Sequence, residues 1–301
     1  MEKNKLIISI ILIIIISAIM VVAFTIDKDN RLDVLTIKNK NIHQGQINAI
    51  LNQYKSSNKF IFSSIINDND ILKLQRDALK TKDKKQQNKY RKELYNKLLN
   101  LYKNLKDYGV KQLHFHLPDS TSFLRFHKPN KFGDSLKDIR YSVVVTNKEK
   151  KPIYGFEEGR IFNGYRIIYP LFYNKEHIGS VEISIGFDAI NKISIKNYNT
   201  YQYMILNKDI IEDKLFTNEK QNYEVSDLNK YFYHEINGFS NYKNMFLKQK
   251  DLVDYKTFNK INKTLSKTIK QKKLLKYKHI LKFVKIDSGY YYISLLPIKN
   301  I

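Results

Sequence analysis

The chain has 301 residues and no cysteine, so it can bury one large core or two modest ones and can form neither disulfides nor thiolate metal sites. Its formal net charge is +24, but only seven of the 53 basic residues are arginine and the lysines are spread along the whole chain. Nucleic-acid-binding proteins gather basic groups on one face and use arginine to grip phosphate. The charge is therefore a compositional bias toward lysine, and no nucleic-acid partner is expected.

The N-terminus carries an uncharged apolar run from Leu6 to Phe24, LIISIILIIIISAIMVVAF. At about 1.5 Å per residue it spans a hydrocarbon core of about 30 Å. Lysines precede it and aspartates follow it, so the positive-inside rule leaves residues 1–5 in the cytoplasm and the rest outside. A cleaved signal peptide has a shorter apolar region that ends in small residues. We therefore predict an uncleaved transmembrane helix over residues 6–26.

Residues 27–108 show mostly helical spacing of apolar residues, with only Gly45 to interrupt it. This pattern predicts a long stalk helix that breaks at Asn67–Asp70, a shorter helix near 71–79 and a third helix through 94–105. The polar run Thr81–Lys89 is interpreted as a solvated loop or an exposed helix face. Together these segments form a helical bundle.

At Gly109 the period changes from helix to strand, which opens a module predicted over residues 109–196. Residues 113–117 alternate in polarity, Pro118-Asp119-Ser120 turns the chain, and residues 123–127 return it as a hairpin. Residues 134–141 carry helical signals and open with a capping aspartate. Three further strands are predicted over 153–157, 165–173 and 178–186, with a turn at Asn174-Lys175. A helix bundle, two strands, a helix and a three-stranded antiparallel meander make an α+β fold.

A second and smaller module is predicted over residues 197–301. Strand patterns occur at 202–206 and around Ile210, and a lysine-rich helix is predicted over 254–275. A hairpin is predicted from 280–286 and 290–297. Since no further apolar run of spanning length follows, we expect this module to be truncated and the chain to stop before a second membrane span.

Four of the seven arginines lie between residues 125 and 166, which predicts a pocket for a small anionic or zwitterionic ligand. Guanidinium is a rigid fork of donors that matches carboxylate, where lysine offers a point charge. We expect Arg125, Arg160 or Arg166 to bind a carboxylate and Glu157 to bind an amine. In the alternative, Glu157 pairs internally with one of these arginines.

The remaining predicted ligand-binding residues are His127, Tyr141 and Tyr165, since the tyrosines near the pocket are able to stack on a ligand. His114, His116 and His127 also raise a metal hypothesis, with Asp119 or Glu157 completing a site. Without cysteine or a helical His-x-x-x-His pair, ordinary half-buried histidines are favoured, and no metal or cofactor is expected. No nucleophile motif or phosphate-binding glycine loop occurs, so this segment is not expected to be an enzyme.

Residues 113–186 resemble the double Cache sensory domain found in two-component sensor kinases, chemoreceptors and diguanylate cyclases. The matching stretches are FHLPD, SFLRFHKP, FGDSL, NKEKKPIYGFEEGR, GYRIIYPLF and HIGSVEIS. The resemblance implies tandem PAS-like (Cache) modules, of which the membrane-distal one binds a small molecule and the membrane-proximal one relays the signal. It also implies a homodimer held along the long helix.

These observations predict the extracytoplasmic ligand-sensing region of a bacterial signal-transduction receptor, anchored in the inner membrane with the bulk of the chain in the periplasm. The missing output domain is expected to be a histidine kinase or chemotaxis domain, with diguanylate cyclase as a further option. Two alternatives from other classes are a membrane-anchored metal-dependent enzyme that uses the histidines and a plain interaction domain without a small ligand.

Overall fold

A computed structural model describes residues 2–157, 159, 163–198, 200, 206–209, 212, 217–225, 232–236, 280–286 and 289–295. The helices are α1 Glu2–Ile61, which a π-helical turn Phe62–Ile66 extends, α2 Asn69–Lys80, α3 Lys84–Asp107, α4 Tyr141–Glu149, α5 Phe187–Tyr198 and a 3-10 helix Thr217–Asn222. The strands are β1 Val110–His116, β2 Ser122–Arg125, β3 Ile153–Glu157, β4 Gly164–Tyr173, β5 Glu176–Ile185, β6 Leu206–Asn207, β7 Tyr223–Val225, β8 Phe232–Glu235, β9 Ile280–Ile286 and β10 Gly289–Leu295. This mixture of helices and antiparallel sheets confirms the predicted α+β class.

Helix α1 is 60 residues long and has two parts with different surroundings. Its segment Lys3–Arg31 is long and apolar enough to cross a membrane. Its side chains are not buried by any other part of the chain that the structure describes. Further along, Ile47 and Ile50 are buried against the rest of the protein. The helix therefore joins an apolar N-terminal segment of membrane-spanning length to the core of the folded module.

The predicted helix break after the stalk is confirmed. The π-helical turn closes with the Asn67 amide donating to the Phe62 carbonyl at 2.8 Å. The Asp68 side chain then accepts from the Asp70 amide at 3.0 Å and caps α2. Helix α3 begins at Lys84 under an Asp83 cap, so most of the polar run Thr81–Lys89 forms its first turns, which are exposed or partly buried.

Five strands form one antiparallel sheet in the order β2-β1-β5-β4-β3. The β4–β5 turn has positive φ at both Asn174 (46°) and Lys175 (68°), as a type I′ hairpin turn requires. The β1–β2 turn has a left-handed Ser120 at φ 67°, whose amide donates to the Leu117 carbonyl at 2.9 Å. The predicted hairpin and three-stranded meander are confirmed.

The sheet has an apolar and a polar face, because successive side chains on a strand point to opposite sides. The apolar face packs with α1, α2 and α3 in the main core and includes Leu113, Phe115, Ile167, Tyr169, Val181 and Ile183. The opposite side, here called the polar face, is formed by Gln112, His114, His116, Arg166, Ser180, Glu182 and Ser184. Helix α4 packs across β3, β4 and β5. All seven polar-face residues are buried.

The helix predicted over residues 134–141 is wrong, because α4 begins only at Tyr141. The backbone before it pairs with the β2 hairpin instead. The Ser122 amide donates to the Asp134 carbonyl at 2.9 Å and the Leu136 amide donates to the Ser120 carbonyl at 3.0 Å. The Asp134 side chain receives both terminal nitrogens of Arg125 at 2.7 and 2.8 Å. Tertiary hydrogen bonds thus occupy the groups that would have capped a helix.

The residues predicted to form the second module contain a three-stranded sheet in the order β6-β8-β7 and the hairpin β9–β10. This confirms the predicted hairpin near the C-terminus. The strand predicted over 202–206 is seen only at its last residue, Leu206. Residues 202–205, Ile210 and the helix predicted over 254–275 lie outside the described residues. The boundaries 1–5, 6–26, 27–108, 109–196 and 197–301 stay a prediction.

Gln75 on α2 connects the helices to the sheet, and we expect its replacement to destabilise the fold. Its fully buried amide nitrogen donates to the carbonyls of His116 at 2.9 Å and Ile178 at 3.0 Å. A Gln75→Met variant would leave both acceptors without this donor and should lower the free energy of unfolding by about 2–4 kcal/mol. Chemical denaturation of the full chain in detergent measures the effect.

The matched control for Gln75→Met is Gln87→Met. The Gln87 amide nitrogen makes one hydrogen bond, to the Ala78 carbonyl at 3.1 Å, in a partly buried setting. We expect this control to cost less than about 1.5 kcal/mol. Equal losses in the two variants would show that the bridge from α2 to the sheet adds nothing.

Candidate functional site

The polar face and the start of α4 bring together two arginines and two glutamates, here called the charge quartet: Arg140, Glu157, Arg166 and Glu182. Arg140 Nε donates to Glu157 Oε2 at 2.7 Å, and Arg140 Nη2 donates to Glu182 Oε2 at 2.6 Å. Arg166 Nη1 donates to Glu182 Oε1 at 2.6 Å. Each Glu182 oxygen thus receives one guanidinium, and Arg140 bridges the two carboxylates.

Burial and pairing act in opposite directions on these groups. Burial alone would raise the pKa of Glu182, but the attraction of Arg140 and then Arg166 outweighs it and holds that pKa far below the ordinary range. The pKa of Glu157 is lowered in the same way against the effect of burial. Burial opposes the charge of Arg140, yet the two glutamates raise its pKa. Burial and the repulsion of Arg140 lower the pKa of Arg166, but a guanidinium stays protonated in proteins. All four groups are therefore charged, and the quartet has no net charge.

The start of α4 fixes Glu157 at the end of β3. The Ser142 amide donates to Glu157 Oε1 at 2.8 Å, and the Ser142 hydroxyl donates to Oε2. Free amides at a helix N-terminus carry partial positive charge and stabilise a carboxylate there. Arg140 directly precedes this helix, so one short segment supplies both of these partners of Glu157.

The two histidines of the polar face, both on β1, each lie close to a serine hydroxyl on a neighbouring strand. His114 Nε2 lies 2.8 Å from the Ser122 hydroxyl, and His116 Nδ1 lies 3.1 Å from the Ser180 hydroxyl. Both imidazoles are completely buried, and burial lowers the pKa of His114 well below its ordinary value and that of His116 to about 3. Both rings are therefore neutral at physiological pH.

Several buried polar atoms on the sheet side and on α4 have no hydrogen-bond partner among the residues that the structure describes. They are His116 Nε2, His127 Nδ1 and Ser184 Oγ on the sheet side and Thr146 Oγ1 and Asn147 Oδ1 on α4. Such atoms are rare in protein interiors because each forfeits its hydration. They leave hydrogen-bonding capacity unused on the sheet and on α4.

The structure brings three of the seven predicted ligand-binding residues to this region. Arg166 and Glu157 belong to the quartet, and the Nε2 atom of His127 lies 3.3 Å from the amide nitrogen of Gln112. Gln112 in turn accepts from Arg166 Nη1 at 3.2 Å. The alternative considered for Glu157 was internal pairing with an arginine. In the structure its Oε2 atom lies 2.7 Å from Arg140 Nε and 3.7 Å from Arg166 Nε.

Of the other four predicted residues, Arg125 lies opposite His114 in the β1–β2 register, on the polar side of the sheet but outside the quartet. The other three lie elsewhere or are not described. Arg125 pairs with Asp134 and also donates to the Lys131 carbonyl at 2.8 Å. Tyr141 is 60% exposed at the start of α4. Tyr165 pairs with Ile185 and packs edge-on against Phe156 on the apolar side, with ring centroids 5.3 Å apart. Arg160 lies outside the described residues.

Arg140 and Glu182 are central to the site, although no sequence pattern assigned them to it. Arg140 was counted in the arginine cluster but has no strand or glycine around it that marks a pocket. Glu182 had a visible signal, since Ser180, Glu182 and Ser184 alternate with aliphatic residues along β5. A carboxylate at such a position, on a strand buried on both faces, requires a buried partner.

His127 should make stability depend on pH. Burial lowers its pKa from 6.5 to about 4, with Arg125 and Lys128 adding to the effect and Glu182 opposing it. The unfolded chain therefore takes up a proton at this residue near pH 6.5 that the folded chain resists until about pH 4. The stabilisation is complete above pH 6.5 and is lost as the pH falls toward 4, at up to about 1.4 kcal/mol per pH unit.

A His127→Gln variant tests this expectation. The decrease in the free energy of unfolding between pH 7 and pH 5 should be about 1–2 kcal/mol smaller in the variant than in the wild type. An identical decrease in the wild type and His127→Gln would contradict the assignment.

Comparisons with known proteins agree with this architecture. The family described as the double sensory domain of two-component sensor kinases matches residues 47–205, just over half of the chain. No curated protein matches the chain. The matched segment includes the distal part of α1, the whole five-stranded sheet and the charge quartet.

Two of the solved structures to which the chain is similar are sensory domains. The histidine kinase DctB sensor domain of V. cholerae is 14% identical with a TM-score of 0.37, and the match covers 51% of this chain and 58% of that one. The sensory domain of the Campylobacter jejuni chemoreceptor Tlp3, solved with isoleucine bound, is 12% identical with a TM-score of 0.39, covering 58% and 68%. The match thus spans little more than half of the V. cholerae domain. On its match to the family, the chain belongs to the double Cache family, the ligand-binding double sensory domains of two-component sensor kinases.

Proposed function

We propose that the chain is the sensing region of an inner-membrane receptor and that a small zwitterionic or anionic molecule binds between the polar face and α4. The receptor would be a sensor histidine kinase or a chemoreceptor, with diguanylate cyclase as a further option. The observation that carries the proposal is the buried charge quartet beside unpartnered polar atoms on both the sheet and α4.

A zwitterion fits the charge of this region best. The quartet contains two cations and two anions, so a ligand with a net charge would leave one buried charge without a partner, which is costly. An amino acid brings one carboxylate and one ammonium group. Its carboxylate would share the donors of Arg166 or Arg140, and its ammonium would share the oxygens of Glu157. The unpartnered atoms of His127 and Ser184 would complete the ligand's hydrogen bonds.

Strand β4 offers a direct route from this region to the membrane helix. Arg166 is on the polar face of β4, and Tyr169 is on its apolar face. The Tyr169 ring stacks on Phe62 at 4.3 Å between centroids and 11° between planes. Phe62 begins the π-helical turn that ends α1. A ligand that shifts β4 would therefore shift the end of the helix that leads to the membrane, and a homodimer along α1 would convert the shift into a signal.

A thermal-shift screen of the full chain in detergent tests the proposal. Amino acids, organic acids and amines are each added in separate wells. We expect compounds with a carboxylate, either the amino acids or the organic acids, to raise the melting temperature of the protein. At a concentration about 100 times the dissociation constant, the gain in the free energy of unfolding should be about 2.7 kcal/mol.

Two variants locate the binding site. Arg166→Lys keeps the charge but loses the guanidinium fork, and His127→Gln leaves the charge quartet intact. Both should abolish or strongly weaken the ligand-induced shift, whereas Arg76→Lys should not, because Arg76 pairs with Asp77 at the surface. If no member of these classes stabilises the protein, the proposed ligand class is wrong. An unchanged shift in His127→Gln would place binding elsewhere.

A further inference from the structure

Three potential metal ligands meet on the polar face: His114, His116 and Glu182. One ligand atom of each lies within 4.8 Å of those of the other two, and all three residues are buried. His116 Nε2 lies 3.8 Å from Glu182 Oε2, and the His114 and His116 rings are 4.1 Å apart between centroids. Asp119 and Glu157, which the sequence suggested as further ligands, are not members of this group.

In each imidazole, one ring nitrogen is held by a serine hydroxyl, which orients the ring. His114 Nε2 is engaged by Ser122, which leaves Nδ1 for another partner, and His116 Nδ1 is engaged by Ser180. The remaining His116 nitrogen, Nε2, is buried and has no hydrogen-bond partner in the described part of the chain. Metal-binding histidines are typically held in this way, with one nitrogen bound by the protein and the other available to the ion.

The geometry points to a site for a divalent transition ion of the zinc type, held by His114, His116 and Glu182. Two imidazoles and one carboxylate form a three-residue set that leaves a fourth position for water or an anion. Zinc ligands at about 2.0–2.1 Å from the ion lie roughly 3.3 Å from one another. Binding therefore requires the three ligand atoms, now within 4.8 Å of one another, to approach by up to about 1.5 Å.

The neighbouring charges set the expected affinity. Glu182 already receives Arg140 and Arg166, although each carboxylate oxygen has a second lone pair for an ion. A divalent cation placed beside two guanidiniums is repelled, so the site should bind more weakly than a structural zinc site. The positive charge of the same guanidiniums favours an anion in the fourth position, next to Arg140.

The test is a titration of the full chain, made without a polyhistidine tag, in detergent and after treatment with a chelator. Co²⁺ serves as the probe because its visible absorption reports the coordination geometry. We expect one equivalent to bind with the spectrum of a four-coordinate nitrogen and oxygen site and to be displaced by Zn²⁺. No organic ligand is present, so the result is independent of the small-molecule proposal.

Matched variants decide whether the ion occupies this group. His116→Gln should abolish the Co²⁺ spectrum, whereas His127→Gln should retain it, since His127 is on the same side of the sheet but is not one of the three ligands. Should His116→Gln fail to fold, Ser180→Ala keeps the histidine and removes the partner that orients it. That variant should bind Co²⁺ about 10–100 times more weakly. Absence of one-equivalent binding, or binding unchanged in both His116→Gln and Ser180→Ala, would overturn the proposal.

Discussion

Replacing Glu182 with glutamine should lower the free energy of unfolding by about 3–5 kcal/mol. Glu182 is completely buried, and its two oxygens accept from Arg140 and Arg166 at 2.6 Å each. Glutamine has nearly the same shape but no charge, so Glu157 would be left as the one carboxylate of the quartet facing both arginines. An uncompensated buried charge is among the most destabilising changes a protein can undergo.

Urea denaturation followed by near-ultraviolet circular dichroism measures this loss, because the chain contains 22 tyrosines. Glu176→Gln is the matched control on the same strand, since Glu176 pairs with Lys80 where both side chains are exposed. We expect it to cost less than about 1 kcal/mol. A Glu182→Gln variant no less stable than this control would contradict the described quartet.

Denaturation of a double variant separates the contribution of the ion pairs from that of side-chain packing. Adding Arg140→Met to Glu182→Gln removes one cation together with one anion and leaves Arg166 opposite Glu157, whose Nε and Oε2 lie 3.7 Å apart. The double variant should therefore be more stable than the sum of the two single losses predicts, by at least about 1 kcal/mol. Additive losses would mean that the quartet members act independently.

Replacing Gly179 with alanine should destabilise the protein by about 3 kcal/mol or more. Gly179 has a φ of 125°, which side chains of L-residues rarely adopt. An added Cβ would lie 2.0 Å from the His116 carbonyl oxygen and 2.8 Å from the Gln75 amide nitrogen. Since the carbonyl belongs to the neighbouring strand β1, the sheet itself would have to move.

Gly45→Ala is the control for Gly179→Ala. Gly45 lies within α1, and no atom comes within 4 Å of a Cβ built there. Alanine is the better helix former, so this variant should be unchanged or up to about 1 kcal/mol more stable. Thermal melting of the two variants beside the wild type gives the comparison. If Gly179→Ala had the same melting temperature as the wild type, β1 and β5 would not approach each other as closely as described.

The quartet has a consequence for how a ligand would act on the receptor. Every charge in it already has a partner, so a zwitterion would exchange ion pairs instead of neutralising free charges. Such an exchange has a small net energy, but it changes which elements are joined. Arg140 precedes α4, whereas Arg166 and Glu182 belong to β4 and β5. A ligand between them would alter the seating of α4 on the sheet, which is the kind of two-state change that sensing requires.

The periodic patterns of the sequence were sufficient for most of the local structure. The apolar run from Leu6 to Phe24, the helix break after Ile66 and the strand alternation from Leu113 onward each depend on residues close in the chain. The Asn174-Lys175 turn follows from the same local signals. The segment at 134–140 was predicted wrongly because the β2 hairpin binds its backbone and Arg125 binds the Asp134 side chain, which no local pattern reveals.

The site was only partly visible in the sequence, because its composition depends on which residues share a face. Scarce arginines marked Arg166, and their spacing to Glu157 suggested a cluster. The identity of the partners depended on the antiparallel register, which sets His114 opposite Glu182 and Arg166 opposite Ser184. It depended also on α4 covering that face and excluding water. The sequence thus determined the elements and the family, since both follow from short-range patterns, whereas only the tertiary structure decided which charges are buried together, because burial is a property of packed faces and not of neighbours along the chain.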